Sequence, residues 1–346
     1  MTRFAAMVAA SIAAMASLIS AGHAADIDGA GSTFVAPIMT RWAGSYTKST
    51  GVKIAYDAIG SGAGIDKIKS GAVDFGTTDK PVSPQELQAA GLCQFPIVVG
   101  GVVPVVNLPG IAAGQMRFTG ALLAQIYMGK VARWDAPEVR AINPGLKLPA
   151  LPIAVIHRAD SSGTTFNWAN FLSHADRGWK EKIGTGLQIS WPAGTGQQGN
   201  DGVANAVTQT PGAIGYVEYT VALQKTLTFG QVSNAHDLFL NPNPDTFQQA
   251  AQTVVWSYYK DFSVVIGDAA ASAMAYPITA TTFVLMQKTP KDPARSRAAL
   301  AFLKWALEDG GDDAEALNYV ALPPLLVKQV ETYWSSALPT LSAAKN

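Results

Sequence analysis

The chain has 346 residues, with 25 Lys and Arg against 25 Asp and Glu, 48% apolar residues and one cysteine. That apolar content can fill two domain cores, while a formal charge of zero argues against nucleic acid or an anionic lipid surface as the main partner. Cys93, standing alone, excludes an internal disulfide and any cysteine-based metal cluster, and reads as a small buried hydrophobe.

Arg3 is followed by an Ala-rich apolar run over residues 4–21 and by small residues at Gly22 and Ala24. This is the pattern of a signal peptide cleaved after Ala24. A membrane anchor would be longer and richer in Leu, Ile and Val. No cysteine flanks the run for lipid attachment, so a soluble, periplasmic product is expected.

From Asp26 onward, short β-like runs alternate with helix-like segments, which predicts an α/β architecture with mostly parallel sheets. Residues 52–59 read as a strand, 64–70 as a short helix and 73–76 as a strand. Residues 94–107 are the most apolar stretch after the leader, with Gly100 and Gly101 in the middle, and predict buried strands with a bend. The alternation continues with a helix over 120–128, a strand over 153–157, a helix over 164–174 and a strand over 213–217. Residues 107–114, 191–202 and 241–244 are rich in Gly, Pro, Asn and Gln and predict loops. A strand over 278–287 and helices over 293–308 and 325–334 complete the chain.

Three segments place small polar residues at the mouth of a helix: Gly29-Ala30-Gly31-Ser32-Thr33-Phe34, Gly60-Ser61-Gly62-Ala63-Gly64 and Arg158-Ala159-Asp160-Ser161-Ser162-Gly163-Thr164. Backbone N–H groups at a helix start point outward, and Gly lets an oxyanion come close, so each is a candidate anion cradle. Thr33, Ser61, Ser162 and Thr164 would add hydroxyl donors. Any one segment alone reads better as ordinary capping or turn chemistry than as an anion site. Arg158, between a β-run and a helix start, shifts the balance, because its fork can meet two oxygens of a tetrahedral anion while Asp160 orients it. Asp79, which taken alone reads rather as a turn-capping acid, would discriminate further if it faced the ligand: a carboxylate beside a dianion is repelled unless the ligand brings a proton, which phosphate has and sulfate lacks.

Enzyme signatures are missing: there is no P-loop, no His-Glu-x-x-His and no Gly-x-Ser-x-Gly. His23, His157, His174 and His236 lack metal-ligand spacing, and Ser162 has no evident base, since His157 sits in a β-run whose alternate side chains face opposite ways. No catalytic residue, metal or cofactor is expected.

Through these motifs the chain resembles the periplasmic phosphate-binding proteins of Pst-type ABC importers. Further matching segments are Val73-Asp74-Phe75-Gly76 leading to Asp79, Phe95-Pro96 before Gly100-Gly101-Val102-Val103, Gly199-Asn200-Asp201-Gly202, and the run from Pro211 through Gly215-Tyr216 to Tyr219. The resemblance implies a type II periplasmic binding protein, two α/β lobes with a ligand cleft between them. Lobe 1 would comprise residues 25–101 and 276–346, and lobe 2 residues 102–275. It also implies phosphate ligands at Thr33, Phe34, Ser61, Asp79, Arg158, Ser162, Gly163 and Thr164, with Asp160 orienting Arg158. Two positions depart from the family pattern: Gly62 stands where a second serine is expected, and Ser161 where glycine is usual. The implied partners are inorganic phosphate and the permease subunits of an importer, served by a monomeric shuttle. The rival readings are a secreted phosphatase using the same cradle, a same-fold receptor for sulfate or molybdate, and a phosphate-sensing role.

Overall fold

The structure is a computed structural model and describes residues 27–268 and 272–342. The leader and cleavage site expected from the sequence lie outside the described residues.

In chain order the elements are β1 (Ile27–Gly31), α1 (Ala36–Thr50), β2 (Ile54–Ala58), α2 (Ser61–Ser70), β3 (Phe75–Thr78), α3 (Pro84–Ala90) and β4 (Leu92–Val106). There follow β5 (Arg117–Phe118), α4 (Gly120–Tyr127), α5 (Pro137–Ile142), β6 (Ala154–Arg158), α6 (Gly163–Ala175), α7 (Arg177–Lys182), β7 (Thr195–Gln197) and α8 (Gly199–Gln209). Next come β8 (Ala213–Glu218), α9 (Tyr219–Gln224), β9 (Thr228–Phe229), β10 (Gln231–Ser233), β11 (Phe239–Leu240) and α10 (Pro244–Ala251). The chain closes with β12 (Thr279–Gln287), α11 (Pro293–Glu308), α12 (Gly311–Ala316), α13 (Pro324–Ala337) and α14 (Pro339–Ser342).

One hydrogen-bonded path runs β2-β1-β3-β12-β4-β8-β6-β7. It is two sheets joined through a shared strand, because β4 changes partner halfway. Up to Gly101, β4 pairs antiparallel with β12, and from Val102 to Val106 it pairs antiparallel with β8. The apolar stretch around Gly100 and Gly101 is therefore one continuous strand of 15 residues, buried throughout, and not separate strands. On either side lie parallel groups, β1 with β2 and β3, and β6 with β7 and β8. The result is two α/β lobes. Trp42, Phe75, Phe95 and Trp334 fill one, and Tyr127, Trp134, Trp168 and Tyr216 the other, all buried.

Several boundaries differ from the sequence expectation. Helix α2 begins at Ser61 and not at residue 64, since Gly-rich segments carry little helix propensity and hide the start. The strand expected over 73–76 is Phe75–Thr78. The segment 191–202, expected as loop, contains β7 and the first turn of α8; three residues, Thr195-Gly196-Gln197, are too few and too polar to show a period. The small sheet β11-β10-β5 and the short helices α3, α5 and α7 leave no legible pattern for the same reason.

Candidate functional site

Ligands of open parallel sheets gather beyond the carboxyl ends of the strands. In both lobes the residues singled out from the sequence sit there. Thr33 follows β1, Ser61 follows β2, Asp79 follows β3 and the segment 160–164 follows β6; Asn200, not singled out from the sequence, follows β7.

Asp79 is 2% exposed. Its Oδ2 accepts the Ser32 hydroxyl at 2.5 Å and its Oδ1 accepts that of Thr282, on β12, at 2.7 Å. Burial outweighs those two bonds and the nearby charge of Arg158, and lifts the carboxyl to a pKa of about 6. The Ser61 hydroxyl accepts two backbone N–H groups, from Asp79 at 3.3 Å and from Gly163 of the other lobe at 3.1 Å. A Cβ on Gly163 would stand 2.5 Å from both Asp79 Oδ2 and Ser61 Oγ, so glycine is what allows this approach.

Arg158 is buried, its side chain 1% exposed. Nε donates to Asp160 Oδ1 at 2.7 Å and Nη2 to Asp160 Oδ2, a two-legged clamp that fixes the guanidinium plane. Burial alone would raise the Asp160 carboxyl, but the hydrogen bond and charge of Arg158 leave it below its ordinary value. Nη1 donates to Thr164 Oγ1 at 3.2 Å. His157, the neighbour of Arg158, turns the other way and stacks on Trp191 with centroids 4.6 Å apart.

Asn200, at the start of α8, ties the halves together. Its backbone N–H and Nδ2 donate to Thr33 Oγ1 at 3.3 and 3.0 Å, and Nδ2 also reaches Thr164 Oγ1 at 3.4 Å. With chain neighbours included, the contacts close a ring: Ser32 and Thr33, Asn200, Thr164 and Gly163, Ser61, Asp79, and back to Ser32.

The chemistry of that ring follows from donor counting. The hydroxyls of Thr33, Ser61 and Thr164 each accept two N–H donors, so each has its own proton left to give. The Ser162 hydroxyl accepts Thr165 N–H as the cap of α6 at 3.0 Å, and likewise keeps its proton. A buried guanidinium and a set of hydroxyls free to donate are an arrangement that can hold an anion, and one buried carboxylate beside them offers an acceptor. The N–H groups of Phe34 and Gly163, both expected at the ligand, are donated here to Ser32 Oγ at 2.9 Å and Ser61 Oγ at 3.1 Å. Beside the ring opens a cleft of about 580 Å³ lined by Thr33, Ile59, Asp160, Gly199, Asn200 and Val221. Among the described residues no group of three His, Cys, Asp or Glu side chains could hold a metal ion.

Sequence reasoning missed Ser32, Asn200 and Thr282. Ser32 lies within the first cradle segment but looks like any turn serine, and Asn200 sits in a segment read as loop. Thr282 is inside a strand, where nothing local marks a polar contact.

A family model for the PBP superfamily domain matches residues 18–309. The chain is 48% identical over 310 residues to the phosphate-binding protein PstS of Xylella fastidiosa, covering 90% of this chain and 85% of that protein. It is 41% identical over 316 residues to PstS of Haemophilus influenzae, covering 91% and 94%. Among solved structures, a high-affinity periplasmic phosphate-binding protein (PfluDING) bound with phosphate superposes with a TM-score of 0.71 at 20% identity, over 89% of this chain and 93% of that one. A human phosphate binding apolipoprotein gives 0.72 at 19% identity, over 89% and 94%. At those identities the structural likeness speaks for the fold alone.

Proposed function

Since the chain belongs to the PBP superfamily and, within it, to the PstS phosphate-binding proteins, we propose that the ring around Arg158 holds one phosphate ion for delivery to an importer. The observation that carries this reading is the pairing of donor-committed hydroxyls with a single buried acceptor, Asp79. Thr33, Ser61, Arg158, Ser162 and Thr164 would donate to the ion, and Phe34 and Gly163 would add their N–H groups once these leave Ser32 and Ser61. Asp79 accepts the proton that phosphate carries, and Asp160 holds Arg158 in orientation.

The magnitudes suit a dense site. An isolated buried oxyanion costs on the order of tens of kcal/mol in a Born estimate. Hydrogen bonds to a charged group return about 1.5–3 kcal/mol each, so no single cradle suffices and both lobes must contribute. Closure then follows from chemistry: the ion favours the form in which all donors reach it, and shifts the balance by that difference in affinity.

We take the lobes as residues 25–101 with 276–346, and residues 102–275, hinged where β4 and the return to β12 cross between sheets. We read the protein as a monomeric periplasmic receptor, without catalysis, that presents its cargo to membrane permease subunits. The test is calorimetric titration of phosphate-stripped protein with phosphate and with sulfate. One tight phosphate site and no heat with sulfate is expected; no heat with phosphate from folded protein overturns the function.

A further inference from the structure

The turn opening α2 and the turn opening α6 press on each other across the cleft. Gly62 N–H donates to the Ser161 carbonyl at 3.0 Å. A Cβ on Gly62 would stand 2.0 Å from Ser161 Oγ and 2.5 Å from Ser161 Cβ. Rotating the serine hydroxyl away relieves the first clash. It cannot relieve the second, because Cβ is fixed by the backbone. Two carbons settle at about 3.5–4.0 Å, so any side chain at position 62 would part the turns by about 1 Å.

Backbone strain does not explain this glycine. Gly62 lies inside α2 and has no positive φ, and in a helix serine or alanine is favoured over glycine. What glycine provides is room for Ser161. The contact lies beside the ring on both sides. Ser61, before Gly62, accepts Gly163 N–H, and Asp160, before Ser161, clamps Arg158. Neither Gly62 nor Ser161 contributes an atom to the ring itself.

We infer that Gly62 and Ser161 form a matched pair across the cleft, absent side chain against hydroxymethyl, that sets how far the lobes close and so tunes affinity without touching the ion. The inference rests on the phosphate reading above. The two positions are thus a single feature: they meet each other, and room lost on one side of the cleft is room made on the other.

The experiment is a double-mutant cycle over wild type, G62S, S161G and the double variant. Each is titrated with inorganic phosphate, and hydrogen exchange of segments 60–64 and 158–164 is followed without ligand. G62S should weaken phosphate binding about tenfold or more, the worth of one net hydrogen bond, while keeping or raising the melting temperature through its better helix propensity. S161G should stay within about threefold of wild type, because the accepting carbonyl is backbone. The double variant should return to within about threefold, since the hydroxymethyl then stands at position 62 and the room for it at position 161. Exchange at both turns should rise in G62S and fall back in the double variant.

Unchanged binding in G62S, or a double variant as weak as G62S, overturns the pair. Should the wild type bind no phosphate, exchange still decides: a rise in G62S reversed in the double variant sustains the pair while the phosphate reading falls, and flat exchange removes both.

Discussion

Holding an ionised carboxylate at Asp79 is costly before any ligand arrives. Burial lifts its pKa to about 6 from an ordinary value of 3.8, and at about 1.4 kcal/mol per pKa unit the charged form costs the ligand-free protein on the order of 3 kcal/mol. An asparagine of the same shape removes that cost. It also offers an amide donor where a ligand hydroxyl needs an acceptor. Ligand-free D79N should therefore melt above wild type at pH 8, with the gap closing as pH falls towards 4, where the wild-type carboxyl is protonated too. Its phosphate affinity should fall by about a hundredfold or more, and sulfate, which has no proton to give, should gain relative to phosphate. Parallel melts and titrations read both effects. Unchanged selectivity between the two anions would remove Asp79 from its role as proton acceptor.

The same opposition between function and stability recurs at the level of elements, where helices α1, α2, α6 and α8 all begin at the cleft. Gly163 is the first residue of α6, and the Cβ of an alanine there would meet Asp79 Oδ2 and Ser61 Oγ at 2.5 Å and Asp79 Cβ at 2.7 Å. G163A should weaken phosphate binding by about a hundredfold or more, since the lobes cannot close fully, yet melt no lower than wild type because alanine favours the helix. A lower melting point together with weak binding would mean that the glycine serves the fold and not the cleft. How far these elements were legible follows from their length. The helix expected over 293–308 is α11 to the residue, because sixteen residues carry a full apolar stripe. The three residues of β7, the middle one a glycine, carry none. That Thr33, Ser61 and Ser162 stand at or just before helix starts was legible because small polar residues and glycine cluster in one dimension. Asn200 reaching Thr33, and Thr282 reaching Asp79 from 203 positions away, were not, since only pairing of distant strands brings them together.

For the whole molecule, a second buried acid acts at the joint between the lobes. Glu218 ends β8, is fully buried, and accepts the N–H groups of Thr220 and Val221 at 2.8 and 3.0 Å as the cap of α9. Around it the segment 317–320 crosses over. The Thr220 hydroxyl donates to Leu317 O, Tyr319 donates to Phe34 O at 2.7 Å, and Val320 bridges to Val99. Burial outweighs the capping bonds and pushes the Glu218 carboxyl up to about 8. Folded protein thus binds protons at Asp79 and Glu218 that the unfolded chain has released, since the ordinary values are 3.8 and 4.5. Stability from these two groups is present at low pH and is lost as pH rises, through about 6 for Asp79 and about 8 for Glu218. His157 works in the opposite sense, its imidazole held below the ordinary 6.5 chiefly by burial, but its effect is complete once pH exceeds that value. Asp160 and Asp313, held below their ordinary 3.8, act only in stronger acid. Between pH 6.5 and 8.5 the balance is left mainly to Glu218. The melting temperature of ligand-free protein should fall across that interval, and E218Q, which keeps a capping oxygen without the charge, should flatten the decline. Scanning calorimetry across that range checks this. A wild-type profile as flat as that of E218Q would mean that Glu218 already carries its charge at the joint at neutral pH.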